Sequence, residues 1–189
     1  MKQHRVAIPA VLLLFVCAVA SAQSAPAKPP AATAAAQASF DRLKSLAGHW
    51  KGRARTTVPA PDSFPVEVSV RVTSGGDALM HEMTPEGRGD DPASGADDPV
   101  TMFYLDGDRL LLTHYCDMGK NQPRMTARVS PDGKTVEFDF LDLAGETRRG
   151  HMDHALFTFI DADHHTEDWT WMMPNGMTGI AHIELTRAR

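Results

Sequence analysis

The sequence predicts an all-β fold, an antiparallel meander closed into a barrel of about 8–10 strands with a short N-terminal helix. Three observations carry this. About ten β-rich or alternating runs follow one another from residue 49 to the C-terminus. Turn-forming pairs separate many of them: Gly75-Gly76, Asp106-Gly107-Asp108, Pro131-Asp132-Gly133 and Asn175-Gly176. No second helical pattern of useful length follows to cover a sheet edge, and closure is the economical way to remove edges. A β-sandwich is the competing architecture.

The N-terminal segments come first in order. Lys2 and Arg5 precede an apolar run from Val6 to Ala20, which is short for a membrane span, and Ala20-Ser21-Ala22 is a small-x-small cleavage site. Residues 1–22 therefore read as a signal peptide, which places the mature chain in the periplasm or outside the cell with no integral membrane segment. Residues 23–38, QSAPAKPPAATAAAQA, are Ala/Pro-rich without apolar periodicity and read as a disordered linker. Ser39 to Gly48 carries Phe40, Leu43 and Leu46 at helical spacing and ends on glycine, which predicts two or three turns of helix.

Residues 39–189 then form one domain with a substantial core. Cleavage removes two of the 19 basic residues, leaving 17 against 24 acidic, a formal charge of −7. That balance argues against nucleic acid as a partner. Cys116 is the one cysteine of the mature chain, so no internal disulfide forms and the core alone stabilises the domain. A monomer is expected.

Side chains alternate along a strand, so loop length fixes which residues of paired strands share a face. A two-residue turn at Asp106-Gly107 or Gly107-Asp108 puts Thr101, Phe103 and Leu105 with Leu110, Leu112, His114 and Cys116. Pairing Cys116 with Pro123 adds Met125 and Ala127, and pairing Ser130 with Thr135 adds Val136, Phe138 and Phe140. For the last hairpin, a two-residue Asn175-Gly176 turn pairs Trp171 with Ile180 and Trp169 with His182. With the tryptophans inward, His182 points inward too. The same register sets Glu167 opposite Glu184, a like-charge clash that argues for a rim position, a bulge or another register. The parity of 151–161 stays open.

Leu46 to Gly52, LAGHWKG, resembles the Gly-x-Trp opening of lipocalins and related calycin barrels. The resemblance covers Ser39 to Arg189 and implies that Gly48 and Trp50 close the barrel floor, with Arg187 from the last strand packed over the indole. FYLDGDRLLLTHYC and NQPRM are similar to motifs of secreted bacterial lipocalin-like proteins of an uncharacterised family, which imply a fold but no reaction. The opening is also similar to that of haem-binding barrels of the nitrobindin type, Leu-x-Gly-x-Trp-x-Gly-x-Gly, here with Leu46, Gly48, Trp50 and Gly52 but Ala54 at the last glycine. That likeness implies haem held by a late histidine, for which His182 is the candidate.

Four functions compete. A pocket for a small hydrophobic or amphipathic ligand would be lined by Phe103, Leu112, His114, Cys116, Met125, Phe138, Phe140, Trp169, Trp171 and His182. A hydrolase would use Cys116 as nucleophile with His114 as base, two residues apart on one strand face, although no orienting carboxylate or amide is evident. Metal binding is suggested by eight mature histidines and by MHEM at 80–83, but His151 and His154, like Met80 and Met83, fall on opposite strand faces. A filled barrel would serve as an interaction module. The sequence favours a non-catalytic exported binding protein without metal or resident cofactor.

Overall fold

The computed structural model describes residues 31–86 and 98–189. The expected signal peptide, 1–22, residues 23–30 of the expected linker and most of the acidic loop between residues 85 and 99 lie outside the described residues. One helix, α1 (Ala31–Lys44), precedes ten strands: β1 (Gly48–Thr56), β2 (Asp62–Thr73), β3 (Ala78–Pro85), β4 (Val100–Asp106), β5 (Arg109–Tyr115), β6 (Asn121–Val129), β7 (Thr135–Gly145), β8 (His151–Phe159), β9 (His164–Met172) and β10 (Thr178–Arg187). Each strand pairs antiparallel with the next, and β1 pairs with β10 to close the barrel. The meander and its closure are as the sequence predicts.

The helix begins at Ala31, so residues 31–38 are not the disordered linker expected of them. Six of those eight residues are alanine, the residue most favourable to a helix. Ala36, Ser39, Phe40 and Leu43 form its buried stripe. That stripe packs mainly on β4 and β5, while Arg42 lies 4.3 Å over the Phe159 ring at the end of β8. The helix thereby spans one end of the barrel and closes it.

Closure of the sheet rests on residues at the helix end. Trp50 is buried and donates its indole N–H to the Leu46 carbonyl at 2.7 Å. The Arg187 guanidinium lies 4.1 Å over the Trp50 ring. It also donates to the carbonyls of Ala47 (2.9 Å), Ser45 (3.1 Å) and Ala162 (3.0 Å), tying the helix exit and the β8–β9 loop to β10. Gly48 leaves room for that arginine, since a Cβ there would meet Nη1 at 2.9 Å. At Gly52 a Cβ would stand 1.9 Å from the Glu184 carbonyl oxygen, so only glycine allows β10 to approach β1 so closely.

Loop parity predicts the inward faces of β4 to β7. Phe103 pairs with Leu112, Thr101 with His114, and Leu105 with Leu110. Between β5 and β6 the expected face is right but the register differs by two residues: Cys116 bridges Asn121, not Pro123, and Leu112 pairs with Met125. A slip of two preserves every facing. Ala127 pairs with Phe138 as expected, but a bulge at Arg124/Met125 shifts the upper part of this ladder. Phe140 lies beyond the last β7–β8 pair, 37 % exposed and tilted against the His151 ring at 4.5 Å. It belongs to the rim rather than the interior.

The last hairpin is the main correction. Its loop has three residues, Pro174 to Gly176, because Met173 N–H donates to the Met177 carbonyl at 2.8 Å. Gly176, at φ 81°, takes the left-handed position that ends such a loop. The added residue shifts the register by one, so Trp169 pairs with Ala181 and His182 with Asp168. Both tryptophans point inward, and His182 points outward, its Nδ1 2.6 Å from Asp168. The clash between Glu167 and Glu184 disappears by the same step: Glu167 is fully buried and Glu184 pairs with Arg55 on the outer wall at 3.0 Å.

Arg187→Ala removes the cation–π contact and three charge-assisted hydrogen bonds at once. It is expected to cost about 2–3 kcal/mol in denaturant unfolding. A loss below about 0.5 kcal/mol, the range of ordinary surface changes, would show that the clamp contributes little.

Candidate functional site

The barrel interior is filled from the helix end upward. Phe103, Phe138 and Phe157 form a mutually packed trio with ring centroids 5.5, 5.5 and 6.1 Å apart. Leu112 and Met125 are fully buried beside them. Four of the residues expected to line a pocket, Phe103, Leu112, Met125 and Phe138, are thus packed core.

Above this core lies a buried polar centre built on Glu167. Its carboxylate receives His81 Nε2 at 3.0 and 3.1 Å, His165 Nε2 at 3.1 Å and the Trp169 indole N–H at 3.0 Å. Burial alone would raise the Glu167 carboxyl, but the charge of His81 and the hydrogen bonds from both histidines outweigh it and hold the group below the usual carboxylate range. The ion stays in the core because each oxygen has donors. His165 also stands edge-on to Trp50 at 4.3 Å, linking this centre to the barrel floor.

The mouth opposite the helix holds a cup of about 160 Å³. Its wall is apolar over most of its extent, with Ala54, Phe64, Met83, Met152, Trp171 and Ile183 among the lining. His81, Thr101, His114 and Cys116 supply the polar points. His114 Nδ1 lies 2.8 Å from the Thr101 hydroxyl, and its ring is 5.2 Å from Trp169. Its Nε2 is buried without a hydrogen-bond partner. Burial, and secondarily the charge of His81, carries the His114 pKa down to about 3, so the imidazole is neutral at physiological pH. In that state one ring nitrogen is a donor and the other an acceptor, and the Thr101 hydroxyl at Nδ1 can serve either tautomer.

The rim is built by the stretch THYCDMGKNQP. Asn121 is buried and donates its amide to the carbonyls of Glu146 and Gly150, both at 2.7 Å. This fixes the β7–β8 loop against β6. Between Cys116 and Asn121 the chain turns over the mouth, where Gly119 lies so near Trp171 that a Cβ would meet the indole at 2.9 Å.

The structure brings together His114, Cys116, Trp169 and Trp171 at the cup, as expected. It separates Phe140, on the rim, and His182, on the outer wall, from them. The His182 side chain, the candidate haem ligand, points away from the barrel interior and pairs with Asp168. His81, Met83, Ala181 and Ile183 were not foreseen. Alternation in LMHEM already puts Leu79, His81 and Met83 on one face, and the Glu167–Glu184 clash pointed to the register that admits Ala181 and Ile183.

Other recesses offer less. One of about 440 Å³ runs along the outer wall of β1 and β2, where Lys51 already pairs with Glu67 and Glu86. Among the described residues, Glu137, Asp139 and His154 form the one cluster with metal-ligand spacing. It lies on the outer wall, and Arg128 already pairs with both carboxylates, at 3.4 and 2.6 Å.

No protein-family model matches the sequence, and no curated protein sequence does either. Solved structures do match. Rv2717c from M. tuberculosis superposes with a TM-score of 0.60 at 15 % identity, over 80 % of this chain and 98 % of that one. The S-type phycobiliprotein lyase CPES from Guillardia theta gives 0.50 at 9 % identity, over 82 % and 97 %. A protein of unknown function of the DUF3598 family from Nostoc punctiforme gives 0.51 at 14 % identity over 77 % of this chain, which spans about half of that protein's length, 48 %. The likeness is one of fold. What is shared is the barrel architecture.

The neutral state of His114 gives a pH prediction. Its folded pKa is depressed, so its contribution to stability is complete above the unfolded value near 6.5 and is lost as pH falls toward 3. Glu167 contributes in the same sense only below about 4.5. Between pH 6.5 and 4.5, urea unfolding should therefore show a slope from His114 of up to about 1.4 kcal/mol per pH unit, absent in His114→Phe. Parallel pH profiles for the two proteins would contradict a neutral, buried His114.

Proposed function

We propose that this protein is an exported carrier that binds a small hydrophobic or amphipathic molecule in the cup at the mouth of the barrel. The observation that carries the reading is an apolar concavity at the barrel mouth, walled by Trp169 and Trp171, with the neutral His114 imidazole among its lining. Apolar walls supply the affinity for such an occupant. Support for export comes from the basic, apolar and small-x-small order of residues 1–22, and a periplasmic or secreted location follows from it.

Binding is favoured over hydrolysis by the chemistry of His114. An imidazole with a pKa near 3 is a poor base for a thiol of ordinary pKa near 8.5. His114 also engages Thr101 rather than a carboxylate that would raise its basicity. The phycobiliprotein lyase likeness supports a barrel suited to a small molecule, and says nothing of which one.

The test is binding of the neutral fluorophore N-phenyl-1-naphthylamine, read by its emission and by quenching of Trp169 and Trp171. Ala181→Trp, which fills the cup from β10, should weaken binding at least about tenfold, the cost of excluding one or two buried methylene equivalents. Unchanged affinity in that variant would place any binding elsewhere.

A further inference from the structure

The cup is smaller than the roughly 300–1,000 Å³ that a whole drug-sized ligand occupies, so an occupant seats one end in it and extends outward. Past Met118 and Trp171, which line both spaces, the cup opens into a groove of about 700 Å³ bordered by Val58, Pro59, Met173 and Met177. Met118 and Met177 are about half exposed, at 51 % and 58 %. Such exposed thioethers beside a cavity, backed by the buried Trp171 indole, continue the apolar path across the rim.

One cation borders this groove, Arg149. Its neighbour Arg148 is engaged by Glu146 through two side-chain hydrogen bonds, at 3.0 and 2.9 Å. Other basic residues near the mouth are likewise paired, Lys120 with Asp117 and Arg124 with Asp142. Arg149 has no carboxylate partner among the described residues. Its backbone is held in place, because buried Asn121 clamps the carbonyls of Glu146 and Gly150 on either side of it. An acidic protein thus presents an unneutralised guanidinium at a fixed point on the apolar path.

Resting on the carrier reading above, we propose that the ligand is a single-chain amphiphile with a terminal carboxylate, seated tail inward. The alkyl end lies in the cup beside Trp169, the chain crosses Met118 and Trp171, and the carboxylate meets Arg149 in water-accessible space. The reverse orientation is opposed by the same burial that keeps His114 neutral. A carboxylate placed there would lose its hydration, and the imidazole beside it that carries charge, His81, is already paired with Glu167. At the rim it keeps part of its hydration and accepts a charge-assisted pair from the guanidinium.

Isothermal titration of the full chain with decanoate and with 1-decanol at pH 7.5 tests this. Decanoate should bind about tenfold tighter than the alcohol, the worth of one charge-assisted hydrogen bond. Arg149→Glu should bring that ratio to one or below, and Arg149→Lys should keep part of it. If decanol binds as tightly as decanoate and Arg149→Glu leaves the ratio unchanged, the anionic class is wrong while the cup remains a binding site. If neither binds and Ala181→Trp alters nothing with the neutral fluorophore, the carrier reading fails and this inference fails with it.

Discussion

The pairing of β1 with β10 is the constraint on which the rest of the molecule depends. It converts a ten-strand meander with two open edges into a barrel in which every strand has two neighbours. Gly52 permits the close approach, and the Arg187 guanidinium over Trp50 fixes the end of the last strand to the start of the first. Because Arg187 also holds the carbonyls of Ser45 and Ala47, helix α1 is oriented by the same side chain. The helix therefore closes one end only, and the other becomes the mouth.

Closure also decides what the interior must contain. With one face of each strand turned inward, aromatic residues fill the half nearer the helix, and an isolated carboxylate would be untenable there. Glu167 is tolerated because His81, His165 and Trp169 together donate to both of its oxygens. This centre is also structural for the cup: His81 and Trp169 are held by Glu167 on one side and form the cup wall on the other. His114 differs from them. It is just as buried, hydrogen-bonds Thr101 alone among the described side chains, and keeps one ring nitrogen without a partner.

Much of the fold and part of the site could be read from the residues. Alternation and turn chemistry gave the meander, and parity across Asp106-Gly107-Asp108 and Pro131-Asp132-Gly133 put Phe103, Leu112, His114 and Phe138 on one face. Parity survives a two-residue error in register, as at Cys116, but not a one-residue error in loop length. The hairpin at Asn175-Gly176 made the second kind: Met173 closes a three-residue loop, and His182 is turned to the outer wall. Residues 31–38 are helical through alanine propensity, which the lack of apolar periodicity in this stretch conceals. How far the core rises before the cup begins depends on side-chain volumes summed around ten strands, which no local pattern contains.

The central claim is that the His114 imidazole is neutral and stands in the wall of a cup that takes an apolar ligand. Nitrogen-15 NMR of the histidine rings, recorded across pH 5–8 with and without saturating N-phenyl-1-naphthylamine, tests it most directly. The account predicts a single neutral tautomer for His114 throughout that range, with its Nε2 resonance displaced on ligand addition while His182 on the outer wall is unmoved. A His114 ring that titrates near pH 6.5, or one whose Nε2 resonance is unchanged by bound ligand, would contradict it.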